Sequence, residues 1–307
     1  MLGRVTQQTV QASSLRNLQS NLSRMATLQA QMSSGTKLQL PSDDPSATSD
    51  VMRLNASARQ LDQFGRNASD GTSWLTTIDT ALSSTTTALQ RARDLTVQGG
   101  NGAYGATSRQ ALATEIAGIR DDLLKQANTT FLGRTVFAGT SNTGAAYTVG
   151  TDASGNPTYT FNGVTGSSVQ RQVGTDTQVR VDSDGSTVFG AVDPATGAYS
   201  TVFATLDQIA STLNAGGDPT KYLSQLDGHL NAVTNEAASI GSRQRVLDAS
   251  TADLTSASQT VKTQTSGLQD IDLAEVIMQL KSQEVAYQGA LGATGRVLQP
   301  TLMDFLK

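Results

Sequence analysis

The stretch that decides the fold is residues 273–307, which read LAEVIMQLKSQEVAYQGALGATGRVLQPTLMDFLK. Large side chains recur there at alternating intervals of four and three residues, the spacing of one narrow apolar seam along a helix. The predicted C-terminal seam consists of Leu273, Ile277, Leu280, Tyr287, Leu291, Leu298 and Phe305. Because a seam of about 30 residues is unstable in water without a partner, we expect a second helix, either from this chain or from another molecule.

The composition argues against several classes of function. The chain has 307 residues, a net charge of −4 and no cysteine, so it has neither the basic surface of a nucleic-acid-binding protein nor thiol chemistry. Charged residues make up only 16%, and a surface of neutral polar groups favours dense packing against copies of itself. No apolar run predicts a membrane span, and residues 1–10 lack the apolar core of a cleavable signal peptide. We therefore expect a protein that stays in the cytosol or leaves by a route that reads no such signal.

The N-terminal segment carries a weaker version of the same seam. Residues 4–34 predict a helix whose seam is diluted by glutamine, so we expect it to be disordered until it meets a partner helix. The predicted N-terminal seam consists of Leu15, Leu18, Leu22, Met25 and Met32. Gly35 is typical of a helix end. The motif Asp43, Asp44 and Pro45 predicts the start of the next helix, with Asp44 as the cap and Pro45 at the first helical position.

Long heptad repeats follow on both sides of the chain's centre. Leucines and alanines spaced by seven from Leu54 to Leu89 predict a helix over 46–98, and a second helix follows a glycine-rich turn. From Leu226 to Leu268 the seven-residue spacing has no exception, which predicts another long helix. The frame then breaks, and Asp272 begins what resembles a capping box, so the C-terminal seam belongs to a separate helix.

Between these helices the pattern changes to short β-type runs separated by turn signals. The predicted strands are Tyr147–Val149, Thr158–Phe161, Val169–Val173, Gln178–Asp182 and Thr187–Phe189. We expect a small antiparallel module that leans on the flanking helices, because it is too small for a large core of its own. The stretch Asp182–Gly185 resembles a calcium loop but lacks its downstream glutamate, which favours a hairpin turn.

Together these patterns predict a mainly α fold, with long antiparallel heptad-patterned helices in a coiled-coil-like bundle, the chain folded back on itself, and a small inserted antiparallel β module. The predicted divisions are terminal helices in 1–42 and 269–307, a long-helix bundle in 43–142 and 201–268, and a β-rich domain in 143–200.

Few residues offer chemistry of their own. His229, the single histidine, lies beside the apolar seam and is predicted to be solvated. Asp43 and Asp44 are interpreted as helix caps rather than metal ligands, because no carboxylate or histidine cluster lies near them in sequence. We expect no catalytic residue, no cofactor and no metal. Glu284, a charge at a seam position, either sets register or partner choice or is simply exposed in an assembly.

Several motifs, taken in their order along the chain, resemble the flagellin superfamily of bacterial flagellar axial proteins. They are Leu28–Gly35 with Pro41–Pro45, Ala68–Gly71 with Leu89–Val97, Phe131–Thr140, and Ala290–Leu306. The β module alone carries no match. Within the superfamily, Pro41-Ser-Asp-Asp-Pro45 and the C-terminal ending resemble proteins of the hook–filament junction more than filament flagellins, which usually carry Ala-Lys-Asp-Asp-Ala there. A flagellin with a short outer domain is the alternative, followed by a secreted helical effector or adhesin.

The resemblance implies a structural, non-enzymatic role outside the cell, in the flagellum. It implies export through the flagellar type III apparatus, an inner tube domain built from the terminal helices, and ordering of those helices on assembly. The implied partners are copies of the chain itself, the hook-side junction protein (hook-associated protein one), flagellin, and an export chaperone at the C-terminal helix. Neither nucleic acid nor membrane is implied.

Overall fold

The computed structural model describes the backbone of residues 2–153, 155–191 and 201–298, and the side chains of all of these except 2–8, 10, 11 and 296–298. The helices are α1 Leu2–Ser34, α2 Pro45–Gly99, α3 Ala106–Ala127, α4 Gly185–Val188, α5 Val202–Asn214, α6 Leu223–Gln269 and α7 Leu273–Leu298. A 3-10 turn at Pro219–Tyr222 precedes α6. The mainly α fold predicted from the heptad repeats is therefore confirmed.

The strands are β1 Thr130–Phe131, β2 Arg134–Thr135, β3 Tyr147–Thr151, β4 Pro157–Phe161, β5 Gln170–Gln172 and β6 Gln178–Arg180. Within the described residues they pair as three separate antiparallel hairpins. Tyr147 lies opposite Phe161 in the β3–β4 hairpin, and Arg171 lies opposite Val179 in the β5–β6 hairpin.

The chain divides into two compact units. The terminal unit comprises residues 1–60 and 257–307, and the central unit comprises residues 61–256. The three-part division expected from the sequence stays a prediction.

The core of the central unit is built by the predicted heptads. In α2 the buried positions include Leu75, Leu82 and Leu89, and in α6 they run from Leu226 to Leu247 at seven-residue spacing. Leu254, the next member of the α6 series, is only partly buried. The change matches the sequence, because the interleaved seam positions become polar beyond Ala237 and leave less apolar surface to bury.

The β module packs on the helices through an aromatic cluster. The ring of Tyr147 lies 5.2 Å from that of Phe203 on α5, and the ring of Tyr159 lies 5.2 Å from the same phenylalanine. The hydroxyl of Tyr147 is shared between the carbonyl oxygens of Gly185 and Gly190, at 2.7 and 2.6 Å. Burial raises the pKa of Tyr147 above its ordinary value, so this hydroxyl stays a neutral donor. Several of the chain's few aromatic residues thus form the core of the module.

Two predictions about the end of the module are wrong. Thr187–Phe189 is not a strand, and Asp182–Gly185 is not a hairpin turn, because the chain forms the short helix α4 there. The Asp184 carboxylate caps α4 by accepting the Ser186 N–H at 2.9 Å. The Asp182 carboxylate is buried, where it accepts the Val169 N–H at 2.8 Å and pairs with Arg180. Both carboxylates therefore satisfy backbone donors.

The β1–β2 hairpin has no counterpart among the strands predicted from the sequence. Its two central residues, Leu132 and Gly133, have φ values of 48° and 77°, as in a tight two-residue turn. Strands of two residues are too short to show the alternation that identifies a strand in sequence.

The prediction that His229 is solvated is also wrong. The ring is half-buried, and Nε2 lies 3.2 Å from the hydroxyl of Thr205 on α5. Position 229 borders the α6 seam, and α5 covers that border, which helical spacing in α6 alone does not reveal. Burial lowers the pKa of His229.

This burial predicts a pH-dependent stability of the central unit. A histidine whose pKa is lower in the folded chain contributes its full stability above the unfolded pKa of about 6.5 and loses it as pH falls from that value through the lower folded pKa. Between pH 7 and pH 5 the urea midpoint should therefore fall more in the natural chain than in His229→Gln. Equal declines in the two chains would show that His229 does not contribute.

Candidate assembly interface

The end of α1 and the start of α7 meet at one joint, which is held together by backbone hydrogen bonds. Gly35, at φ 72°, ends α1 in the left-handed conformation that glycine favours. The Lys37 N–H then donates to the Gln269 carbonyl at 2.6 Å, and the Ile271 N–H donates to the Gly35 carbonyl at 3.3 Å. The frame break seen in the sequence after Leu268 is thus the place where the chain returns to its N-terminal half.

The predicted helix-start residues lie at this joint. The Asp44 carboxylate accepts the Ala47 N–H at 2.9 Å, just after Pro45 begins α2. Asp43 instead folds the connecting loop, because its carboxylate accepts the Leu40 N–H at 2.8 Å. On the other side, Asp272 caps α7 by accepting the Ala274 N–H at 2.9 Å. Each such cap contributes about 1 kcal/mol to its helix.

From the joint, α1 and α7 run antiparallel and pack against each other. Thr36 forms an antiparallel bridge with Asp270, and farther along the pair the Gln283 side-chain amide donates to the Asn21 side-chain carbonyl at 3.0 Å. From the first contact to the second, the residue number decreases on the α1 side and increases on the α7 side, as in an antiparallel pair. The C-terminal helix therefore pairs with the N-terminal helix of its own chain.

The side chains that lie between α1 and α7, which we call the inner seam, recur on each helix at alternating intervals of four and three residues. On α7 the buried and half-buried positions at this spacing are Val276, Leu280, Gln283, Tyr287, Ala290 and Thr294. On α1 the corresponding positions are Ser14, Leu18, Asn21, Met25, Leu28 and Met32. Only Val276 and Leu280 fall below a tenth of their surface exposed, at 7% and 9%. A seam that contains serine, threonine and two amides buries little apolar surface.

The structure divides the predicted seam residues between two faces. The inner seam contains Leu18, Met25, Met32, Leu280 and Tyr287. The exposed ones are Leu15, Leu22, Leu273, Ile277 and Leu291. Leu298 ends α7, where its side chain lies outside the described residues, as does all of Phe305.

The exposed residues gather on one side of the helix pair. In two antiparallel helices, the positions that follow matching seam positions point to the same side, because each residue turns 100° about its axis. Leu15 and Leu22 follow Ser14 and Asn21, while Ile277 and Leu291 follow Val276 and Ala290. We call these four exposed residues, Leu15, Leu22, Ile277 and Leu291, the apolar flank.

The opposite flank has a different composition, with Asn17, Arg24, Gln279, Ala286 and Ala293. One side of the helix pair therefore carries four large apolar side chains, beside Gln29 and Glu284, whereas the other side is polar or small.

Glu284 falls between Ile277 and Leu291 in the same flank. Its carboxylate pairs with Lys281 at 2.8 Å, and its side chain is one third exposed. The charge therefore separates Ile277 from Leu291 on α7 without entering the inner seam.

The described residues form no cluster suited to a metal ion. They contain no group of three or more histidine, cysteine or acidic side chains placed to hold a metal ion. Within the same part of the chain, no helix combines the length and hydropathy of a membrane span. What the terminal unit offers instead is an elongated apolar stripe of the kind that binds other helices.

The terminal helices thus define a class of mainly helical proteins in which the N-terminal and C-terminal segments of the chain pack against each other. The model of the bacterial flagellin N-terminal helical region matches residues 5–142, and that of the C-terminal helical region matches residues 223–306. Together they span more than two thirds of the sequence. The chain belongs to the bacterial flagellin superfamily.

Individual relatives differ in how much of the chain they match. The flagellar hook-associated protein 3 of Salmonella typhimurium is 27% identical over 310 residues, which is 94% of each protein. Flagellin B of Vibrio anguillarum is 35% identical over 122 residues, which is 40% of this chain but 32% of the flagellin.

Solved structures share the fold. Flagellar hook-associated protein 3 from Legionella pneumophila matches 71% of this chain and 98% of its own, with a TM-score of 0.61 and 17% identity. FlgL from Bacillus cereus matches 70% of this chain and 99% of its own, with a TM-score of 0.58 and 21% identity.

Proposed function

We propose that the chain is a structural adaptor of the bacterial flagellum, which joins the hook-side junction protein, hook-associated protein one, to the flagellin filament. The observation that carries this proposal is the apolar flank, whose members are 41–63% exposed in the isolated chain. Full burial of one such side chain is worth about 1.5–3 kcal/mol. Much of that stabilisation is left for neighbouring subunits to supply.

The inner seam supports assembly-coupled ordering of the terminal helices. Because it buries little apolar surface, the pair is only marginally stable on its own. Neighbouring copies that cover the apolar flank add burial on the side where the pair lacks it. The terminal helices thereby form the inner wall of a tube in the assembled state.

Export precedes this assembly. An exposed apolar stripe is an aggregation liability inside the cell. We propose that a chaperone covers the apolar side of α7 until the chain leaves unfolded through the flagellar type III apparatus and assembles outside the cell. Flagellin and hook-associated protein one then contact opposite ends of the ring of copies.

The junction role is favoured over the filament role by the extent of similarity. The Salmonella hook-associated protein 3 aligns with nearly the whole of this chain, including the β module, and has a matching length. Flagellin B of Vibrio anguillarum aligns with about a third of its own length only. A filament subunit with a short outer domain is the second candidate, because both share the terminal helices.

The location of the protein tests the proposal. A peptide epitope inserted in the exposed turn between β3 and β4 should be labelled by antibody in one short zone between hook and filament, with flagellin labelling along the filament as the control. Label along the entire filament would contradict the adaptor role and identify the chain as a filament subunit. Self-assembly of the purified chain into long filaments would lead to the same conclusion.

A further inference from the structure

We propose that the Asn21–Gln283 hydrogen bond sets the register of α1 against α7. The donor and acceptor atoms lie 3.0 Å apart, and both side chains are half-buried in the inner seam. On each helix this amide is flanked within the seam by larger apolar residues, Leu18 and Met25 on α1 and Leu280 and Tyr287 on α7. A polar pair inside an apolar seam is a known means of selecting one register among several.

The apolar residues alone discriminate poorly between registers. Leu18, Met25 and Met32 are spaced by seven on α1, and Leu280 and Tyr287 are spaced by seven on α7. A shift of one heptad therefore still brings large apolar side chains of α1 opposite large apolar side chains of α7 along part of the seam. Methionine also adapts to irregular gaps, which reduces the penalty of a shifted fit.

The Asn21–Gln283 pair does discriminate between registers. After a one-heptad shift, the place that Gln283 holds relative to Asn21 is taken by Val276 in one direction and by Ala290 in the other. Neither side chain can donate a hydrogen bond, so the Asn21 side-chain carbonyl loses its partner within a partly buried seam. The joint at Thr36 and Asp270 favours the same register at one end of the pair, but it is formed by a few bonds in a largely exposed loop.

Register matters for the surface that the pair presents. The apolar flank takes Leu15 and Leu22 from α1 and Ile277 and Leu291 from α7, so a one-heptad shift displaces its two halves by about 10 Å. Neighbouring subunits would then meet a different stripe. This consequence rests on the proposed assembly role, whereas the register itself is a property of the single chain.

The register can be measured in the purified full-length chain, under conditions in which circular dichroism shows α1 and α7 to be helical, by the distance between two spin labels. The chain has no cysteine, so Ala30→Cys on α1 and Gln288→Cys on α7, both at exposed positions, take the labels alone. Pulsed electron paramagnetic resonance should give one distance population in the otherwise natural chain. In the Asn21→Leu, Gln283→Leu chain we expect a second population displaced by up to about 10 Å, with undiminished helicity by circular dichroism.

Two matched variants complete the experiment. The exchange Asn21→Gln, Gln283→Asn keeps an amide pair and should keep the single population. Asn17→Leu with Gln279→Leu removes two exposed amides outside the inner seam and should also keep it.

The proposal is overturned by a single unshifted population in the leucine chain, which would assign the register to the joint. It is equally overturned by a broad distribution in the chain with both natural amides, or by loss of helicity in the leucine chain. Because purified single chains are measured, the outcome does not depend on where the protein lies in the flagellum.

Discussion

Deleting residues 273–307 should abolish incorporation into the flagellum and leave the central unit folded. The buried cores of α2 and α6, from Leu75 to Leu89 and from Leu226 to Leu247, lie entirely outside the deleted segment. In the described residues, α7 contributes Val276 and Leu280 to the buried set, and both belong to the terminal unit. The truncated chain should therefore unfold at the same urea concentration as the full chain while motility is lost.

Amounts of the truncated chain in cells and in the medium must be measured alongside motility. Loss of production or export would otherwise imitate loss of assembly. Lys281→Ala is the matched control on α7. It removes the exposed partner of an ion pair worth about 0.2–1 kcal/mol and retains every residue of the flank, including Glu284. Normal motility of the truncated chain would refute the assembly role of α7.

Where one apolar stripe dominated a helix, the sequence predicted the fold well. Leu226, Val233, Ile240 and Leu247 are the buried residues of α6, and no competing stripe exists on that helix. Capping residues were predicted equally well, because Asp44 and Asp272 cap their helices through backbone N–H groups two or three residues away. In both cases, the physical cause lies within a few residues of the position concerned.

Where two stripes run side by side, spacing alone could not assign them. On α7 the series with Ile277 and Leu291 and the series with Val276 and Ala290 both repeat every seven residues. Apolar spacing favours the series with Ile277 and Leu291, yet the chain buries the series containing Gln283. The Asn21–Gln283 pair could not be predicted, because apolar spacing does not include polar seam positions. The two amides also lie 262 residues apart in the sequence.

The predicted last strand of the β module was wrong for another reason. Thr187, Val188 and Phe189 have β-type side chains, yet they form or follow a helical turn. The cap from Asp184 and the burial of Phe189 against the rings of Phe137 and Tyr147 outweigh local propensity. These are tertiary contacts, which propensity does not contain.

Leu280→Asp and Leu291→Asp should both stop incorporation, but for different reasons. Leu280 is 9% exposed in the inner seam, so its loss costs the α1–α7 pair about 2–5 kcal/mol and places a charge between the helices. Helicity by circular dichroism should fall, while the urea midpoint of the central unit stays the same. A lower midpoint would instead show that the terminal pair supports the central unit.

Leu291→Asp separates assembly from pairing. Leu291 is 48% exposed in the apolar flank, so the substitution should leave helicity unchanged in the isolated chain. In the assembly it removes about 1 kcal/mol of burial per copy and forces neighbours to desolvate a carboxylate, which costs several kcal/mol more. Gln288→Asp adds the same charge at an exposed polar position and should still be incorporated. If Leu291→Asp were incorporated as efficiently as Gln288→Asp, the apolar flank would not be the surface that neighbouring subunits cover.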